Sequence, residues 1–185
     1  MSTESFKQEL DRQSRRNRIR HTTATTVGVL IVVVAAAIIV STFLISVLQI
    51  RGNSMEPTVH EGDLLIANHS TAFDQGDVVA FYYNNKVLLK RVIAFPGDWV
   101  DIDDNGLVAV NGHVIREEYV KDLALGATDI VFPYQVPENR FFVLGDNRSV
   151  SIDSRSNVIG TITEEQVIGK VLYRVWPLDS FGIIR

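Results

Sequence analysis

The sequence of 185 residues contains no cysteine. Disulfide bonds, thiolate metal ligands and cysteine nucleophiles are therefore excluded. Histidine is also scarce, and the four histidines form no pair at ligand spacing, so no metal site is predicted. The formal net charge is only −4, which is too small to indicate a nucleic-acid partner. No metal ion or nucleic-acid partner is therefore predicted, and no organic cofactor is implied.

Charged residues are absent from a long stretch near the N-terminus, residues 22–50. The apolar residues 27–48 within it would extend about 33 Å as a helix, which is enough to cross the hydrocarbon core of a bilayer. A cleaved signal peptide is one alternative, but its apolar region usually has about 7–15 residues, and no clear small-x-small site precedes Arg51. A buried helix of a soluble protein is another. We predict a retained transmembrane signal anchor over residues 24–48.

The charges on either side of the apolar stretch predict its orientation. Residues 1–23 carry six basic and three acidic side chains, whereas Arg51 is the only basic residue between the stretch and Lys86. The positive-inside rule therefore makes residues 1–23 a cytoplasmic head and residues 49–185 an extracellular domain of a single-pass protein of the cell membrane. A basic arm that binds nucleic acid is the alternative. The adjoining apolar stretch instead favours the view that the basic residues set the orientation of a membrane span.

Beyond residue 49 the pattern is typical of a mainly β domain. Short runs rich in aliphatic and aromatic residues are separated by turn signals such as Asn84-Asn85 and Asn111-Gly112. A short helical turn is predicted only at residues 163–167. Residues 99–140 are more polar and hairpin-like, and we predict that they form a small subdomain inserted in the main sheet. The predicted strands are residues 63–68, 78–83, 86–95, 141–144 and 167–176.

A serine lies directly after the apolar stretch, in Gly52-Asn53-Ser54-Met55-Glu56-Pro57. The glycine and the proline predict a kinked segment that holds the Ser54 hydroxyl at the junction of a loop and a strand. An ordinary turn is the alternative. No histidine stands in a recognisable triad context, so an activated serine here would need another base.

Lys90 is the candidate base. Strand alternation places it on the same face as Leu88 and Val92, in apolar surroundings that would lower its pKa. Lowering that pKa from about 10.4 to about 8 requires roughly 3 kcal/mol of selective destabilisation of the ammonium form. A solvated lysine at a sheet edge, which discourages aggregation, is the alternative.

A third polar cluster follows the apolar run at residues 141–144, over residues 145–155. Taken separately, Asp146-Asn147 would be a turn, and Asp153 with Arg155 would be a weak surface salt bridge. The density of polar groups beside a predicted core strand instead indicates an ordered network.

Together, and in this order beyond a single apolar stretch, these motifs resemble the bacterial type I signal peptidases, or leader peptidases, of peptidase family S26. The resemblance covers the anchor and nearly all of the outer domain, and the single span is similar to the Gram-positive type. Its strongest parts are SMEPT at 54–58, KR at 90–91, PGD at 96–98, GDNR at 145–148 and SxDSR at 151–155.

The resemblance implies a serine endopeptidase with a Ser/Lys dyad. Ser54 matches the nucleophile, Lys90 the general base, and Ser151 the hydroxyl that orients the lysine amine. Asp153 and Arg155 match a structural ion pair that supports the site. The substrates implied are secreted preproteins with small residues at positions −1 and −3, bound as an extended strand along a sheet edge.

Other residues are assigned to the substrate or oxyanion region, namely Gly52, Met55, Gly145 and Asp146. In the family the oxyanion is held by the backbone N–H of the nucleophile, often with a serine hydroxyl two positions earlier. Gly52 occupies that earlier position and has no hydroxyl. Where such a donor is used, its loss can cost about 10²–10³ in rate.

Three other functions are considered beside this one. A self-cleaving Ser/Lys protease of the repressor type carries a DNA-binding head, and residues 1–23 are too short for one. A specialised peptidase would process pilins or conjugation proteins, or would be a mitochondrial inner-membrane relative. A non-catalytic β module that binds peptides is the third, and the intact Ser54, Lys90 and Ser151 argue against it.

Overall fold

The computed structural model describes residues 3–70 and 72–184, apart from the side chains of residues 3–14, 17, 40 and 43. The chain divides into two compact units, Met1–Phe43 and Leu44–Arg185. The described residues of the first unit all belong to one helix, α1, which runs from Thr3 to Leu44. Its segment Arg18–Ile39 has a mean hydropathy of 2.4, is fully exposed and is long enough to cross a membrane. An apolar helix of this kind fits a membrane anchor.

The helix differs from the predicted anchor, residues 24–48, at both ends. It runs without interruption through residues 23 and 24, so the basic head and the apolar stretch share one helix. It ends at Leu44, and Ile45–Gln49 form strand β1 instead. Residues 45–48, which the prediction placed in the helix, are not helical. Strand β1 pairs antiparallel with β2, Leu64–Asn68, and this pairing satisfies the backbone hydrogen-bonding groups of β1.

The second unit is built on an eight-stranded antiparallel sheet with the order β1-β2-β11-β3-β4-β9-β10, in which β12 also pairs with β11. The five predicted strands are confirmed to within one residue at each end. Their neighbours β1, β10 and β12 are additional. The bounds not yet given are β3 Val78–Tyr83, β4 Lys86–Ala94, β9 Arg140–Leu144, β10 Ile162–Thr163, β11 Val167–Trp176 and β12 Gly182–Ile183.

A smaller sheet of four strands, in the order β7-β6-β5-β8, lies within the predicted insertion at residues 99–140. It belongs to the same compact unit as the large sheet. Its strands are β5 Trp99–Ile102, β6 Val108–Val110, β7 His113–Val114 and β8 Tyr134–Gln135.

The predicted tight turns join consecutive strands. Asn84 and Asn85 both have positive φ angles, 43° and 39°, between β3 and β4. Asn111 and Gly112, at 52° and 78°, join β6 to β7. Two positive φ angles in a two-residue loop match the twist of the flanking strands. The predicted helical turn is a 3₁₀ turn at Glu164–Gln166.

The large sheet is covered on both faces. On β3, Val78 and Ala80 belong to one buried cluster, whereas Val79 and Phe81 belong to another, as strand alternation requires. A third cluster joins the two sheets and includes Ile93 on β4 and Val100 on β5. Strand β4 thus contributes to every part of the core, and this fixes the backbone that carries Lys90.

Candidate active site

Ser54 and Lys90 are in direct contact. Lys90 Nζ lies 2.7 Å from Ser54 Oγ. Ser54 stands in the turn that follows β1, where Gly52 adopts a φ of +88° that side chains rarely tolerate. Met55 is 3% exposed and packs in the core, so the residue after Ser54 anchors the turn. The predicted kink around Ser54 is therefore present.

Lys90 is a buried cation on β4, only 3% exposed. Burial lowers the pKa of Lys90 from an ordinary value of 10.5 to about 8, although the carboxylates of Asp153 and Asp146 partly oppose the shift. Among the ion pairs of the described residues, none includes Lys90. A neutral amine this close to a hydroxyl can accept its proton.

Asp146 is expected in the substrate or oxyanion region, but its carboxylate is engaged elsewhere. Arg91 donates from Nε and Nη2 to the two carboxylate oxygens, at 2.8 and 2.5 Å. The Thr58 hydroxyl also donates to Asp146, at 2.6 Å. Both charged side chains are 1% exposed or less. Asp146 therefore neutralises Arg91 and has little capacity left for a substrate.

The predicted ion pair between Asp153 and Arg155 is present and fully buried, with two N–O distances of 2.8 Å. It is not the surface salt bridge that the local sequence alone would indicate. Asp153 also accepts from the backbone N–H of Gly145 at 3.0 Å, which ties the pair to the loop after β9. Removal of one partner from a buried ion pair lowers the free energy of unfolding by several kcal/mol.

Ser151 is buried beside the dyad, but the hydrogen bond to Lys90 implied for it is not formed. In the part of the chain that the structure describes, Ser151 Oγ has no hydrogen-bond partner. The hydroxyl packs against Gly145, where an added Cβ would lie 2.2 Å from Ser151 Oγ. Only a glycine fits at position 145, and this is the role that the structure indicates for it.

An apolar groove adjoins Ser54, with a volume of about 590 Å³. Gly52 and Met55, which the sequence assigns to the substrate or oxyanion region, both line it. One wall comes from the start of β4 and the other from the end of β1 and the following turn. The lining residues are Leu48, Gln49, Ile50, Arg51, Gly52, Ser54, Met55, Lys86, Val87, Leu88 and Leu89.

Two residues of the site have no signal in the sequence. Glu117 forms a buried ion pair with Arg148 at 2.5 Å. The Tyr119 ring lies 3.8 Å below the Arg91 guanidinium, and its hydroxyl donates to Glu117 at 2.8 Å. Both residues come from the polar insertion, where a Glu and a Tyr look like ordinary surface residues. Only the fold brings them to the two arginines.

The chain resembles known proteins over most of its length. The family model described as signal peptidase, peptidase S26, matches residues 23–176. Signal peptidase I of Bacillus amyloliquefaciens is 32% identical over 162 residues, covering 82% of this chain and 86% of that protein. Signal peptidase IB of Staphylococcus aureus is 35% identical over 163 residues, covering 77% and 84%. The crystal structure of a signal peptidase I from Enterococcus faecalis aligns with a TM-score of 0.44 at 30% identity, covering 54% of this chain and 96% of that one.

Proposed function

Since the chain belongs to the signal peptidases of peptidase family S26, we propose that it is a type I signal peptidase, a membrane-bound serine endopeptidase that removes signal peptides from secreted preproteins. The observation that carries the proposal is the 2.7 Å contact between a serine hydroxyl and a buried lysine amine. This contact lies beside an apolar groove in a chain whose N-terminal helix fits a membrane anchor.

In the proposed mechanism Ser54 Oγ attacks the carbonyl carbon of the scissile bond while neutral Lys90 takes the hydroxyl proton. The tetrahedral intermediate collapses to an acyl-enzyme, and the Lys90 ammonium gives its proton to the departing amine. Lys90, neutral again, then removes a proton from the water that attacks the ester, and returns that proton to Ser54 Oγ as the ester bond breaks. The lowered pKa supports this role because the base is neutral at a mildly alkaline pH.

The oxyanion would be held by the backbone N–H of Ser54. Within the described residues this N–H donates no hydrogen bond, so it is available to the substrate. Gly52 provides no side-chain donor, and nothing lies within 4 Å of a Cβ built at that position. One fixed donor therefore supports the intermediate from this turn.

The substrate would bind as an extended strand with small residues at −1 and −3. Residues 86–89 of β4 pair with β3 on one side. The ladder to β9 begins only at Arg91, so among the described strands none covers the other edge of residues 86–89. Because that same segment lines the apolar groove, a peptide added to this edge would lead its side chains towards Ser54.

The catalytic unit would face the outside of the cell. The charge difference across the apolar stretch supports a cytoplasmic N-terminus, with six basic residues before the stretch and one soon after it. Signal peptides reach the enzyme embedded in the same bilayer, so an anchor of this orientation would bring enzyme and substrate together.

Cleavage of a purified preprotein in detergent tests the function. We expect the wild type to cut after a small-x-small site, and Ser54→Ala and Lys90→Ala to be inactive while remaining folded by circular dichroism. Wild-type activity in Lys90→Ala would contradict the dyad. Absence of cleavage by the wild type over several preproteins would contradict the proposed substrate class.

The pH dependence of cleavage tests the base. Because Lys90 must be neutral to accept the serine proton, kcat/KM should fall about tenfold per pH unit below a pKa of about 8 and level off above it. The measurement is cleavage of a short peptide between pH 5.5 and 9.5, with the fold monitored at each pH. A flat profile down to pH 5.5 would show that Lys90 is not the base.

A further inference from the structure

We propose that Glu117 and Tyr119 are positioning residues for this cleavage. They lie in a segment that we call the strap, residues 117–129, which is part of the connection from β7 to β8 of the smaller sheet. The geometry indicates that the strap holds two buried arginines, and through them the loop at residues 145–147, against the serine turn. This role depends on the function proposed above, since it concerns the same reaction.

The first connection runs through Arg148. Glu117 accepts two hydrogen bonds from the guanidinium, at 3.0 Å from Nη1 and 2.5 Å from Nη2. Arg148 Nε donates to the carbonyl of Gly145 at 3.0 Å. The two ionic side chains are 1% and 4% exposed. Such a bidentate pair fixes the plane of the guanidinium, and therefore the carbonyl that it holds.

The second connection runs through Arg91. Tyr119 places its ring under the guanidinium, which donates to both oxygens of Asp146. The Tyr119 hydroxyl donates to Glu117, so the two connections share one carboxylate. Burial raises the pKa of Tyr119, which keeps the phenol protonated as a donor. Arg91 directly follows Lys90 on β4.

Both connections end at the serine turn. Asn147 donates from its backbone N–H to the Ser54 carbonyl at 3.1 Å and from its side chain to the Asn53 carbonyl at 3.2 Å. Gly145 packs so closely that a Cβ there would lie 2.6 Å from the Ser54 carbonyl oxygen. A displacement of residues 145–147 would therefore move the nucleophile, and a misplacement of about 1 Å can cost about 10²-fold in rate.

Loss of Glu117 alone should leave the strap attached. Arg155 donates to the carbonyl of Leu125 at 2.6 Å, and Asp129 accepts from Ser156 Oγ at 2.6 Å. What Glu117→Gln removes is the charge opposite Arg148, which leaves a buried guanidinium without an anion. Arg148 is then expected to shift towards water and to release the Gly145 carbonyl.

The test measures peptide cleavage by the full-length protein in detergent. We expect Glu117→Gln to lower kcat about 10–100-fold with KM changed less than twofold, because the Ser54 hydroxyl moves while the β4 wall of the groove stays in place. Tyr119→Phe keeps the ring under Arg91 and loses the hydroxyl, so a smaller fall in kcat is expected. Glu118→Gln is the matched control, because it removes the same charge one position away. Glu118 pairs with Arg116 on the surface, where their side chains are 71% and 86% exposed. The Glu118→Gln variant should be as active as the wild type.

A double variant separates positioning from stability. Glu117→Gln combined with Arg148→Gln removes both charges, so the melting temperature should recover relative to Glu117→Gln. The bond from Arg148 Nε to Gly145 is still lost, so kcat should stay low. Recovery of kcat together with the melting temperature, or an unchanged kcat in Glu117→Gln, would overturn the proposal.

Failure of the proposed function would look different. If the wild type cleaves no preprotein or peptide, the same variants are compared in the rate at which a serine-reactive fluorophosphonate labels Ser54. Slower labelling in Glu117→Gln than in Glu118→Gln would support the positioning role without any substrate. Equal labelling rates would refute it.

Discussion

Each of the three buried arginines beside the dyad has its own carboxylate: Arg91 has Asp146, Arg148 has Glu117 and Arg155 has Asp153. Lys90 is the fourth buried cation, and no ion pair of the described residues includes it. This arrangement explains why burial dominates the pKa of Lys90. The protein retains a destabilised ammonium form, which is the property that a general base near neutral pH requires.

Replacement of Lys90 by methionine should abolish cleavage and stabilise the fold. The native pKa of Lys90 is lowered, so its ammonium form opposes folding fully below pH 8 and no longer does so above about pH 10.5. The shift corresponds to about 3 kcal/mol. Urea unfolding at pH 6.5 should therefore show Lys90→Met to be more stable than the wild type by up to about 3 kcal/mol, with the gain declining as the pH approaches 10.5. Lys86→Met, at an exposed position, should show no such gain.

A hydroxyl at position 52 should help the reaction. Any side chain there is strained by the φ of +88°, at a cost of about 1–2 kcal/mol in stability. Gly52→Ala has the same strain without a hydroxyl, so it is the reference for Gly52→Ser. We expect kcat of the serine variant to exceed that of the alanine variant at least tenfold. Equal values of kcat would show that a hydroxyl at this position does not reach the oxyanion.

Strand β11 lies close to β2 at Gly169. A Cβ at this position would lie 1.6 Å from the carbonyl oxygen of Asn68, next to a register shift in the pairing of β11 with β3. Gly169→Ala should therefore destabilise the fold by about 3 kcal/mol. Gly182→Ala, on β12, meets nothing within 4 Å and should cost less than about 1 kcal/mol. Thermal unfolding of both variants would test this, and similar melting temperatures would contradict it.

Five strands, β2, β3, β4, β9 and β11, could be predicted because alternation and turn residues mark them within the sequence. Strand β1 could not, since Ile45–Gln49 have the same apolar, β-branched composition as the membrane helix before them. What separates the two elements is the partner strand β2, which is about twenty residues further along the chain. Pairing between strands is a tertiary interaction, and local propensity does not contain it.

The candidate site divides in the same way. Ser54 and Lys90 stand in short motifs, and the structure brings them together. Glu117 and Tyr119 lie in a loop with no regular pattern, and the arginines that they contact, Arg148 and Arg91, are distant in sequence. For Asp146 the motif indicated a place in the substrate or oxyanion region, but its carboxylate binds Arg91, and Asp146 does not line the groove. A motif identifies residue types, whereas burial decides which charges must be paired.

At the scale of the whole molecule, residues 44–185 form a compact unit and should fold without the helix. A chain that begins at Leu44 should unfold cooperatively in urea and cleave a short peptide at a rate within about threefold of the full-length protein. A chain that begins at Asn53 lacks β1 and the core residue Ile50, which is 7% exposed. Its stability should fall by at least about 3 kcal/mol. Loss of folding in the longer chain would show that the helix contributes to the β unit.

The uncompensated charge of Lys90 also bears on what happens after hydrolysis. Cleavage leaves a new carboxylate at the end of the severed signal peptide, beside a lysine that has no anion of its own among the buried ion pairs. Below pH 8 that lysine is protonated, and the product can supply the missing counter-charge. The spent peptide should therefore dissociate more slowly, and inhibit more strongly, as the medium becomes more acidic.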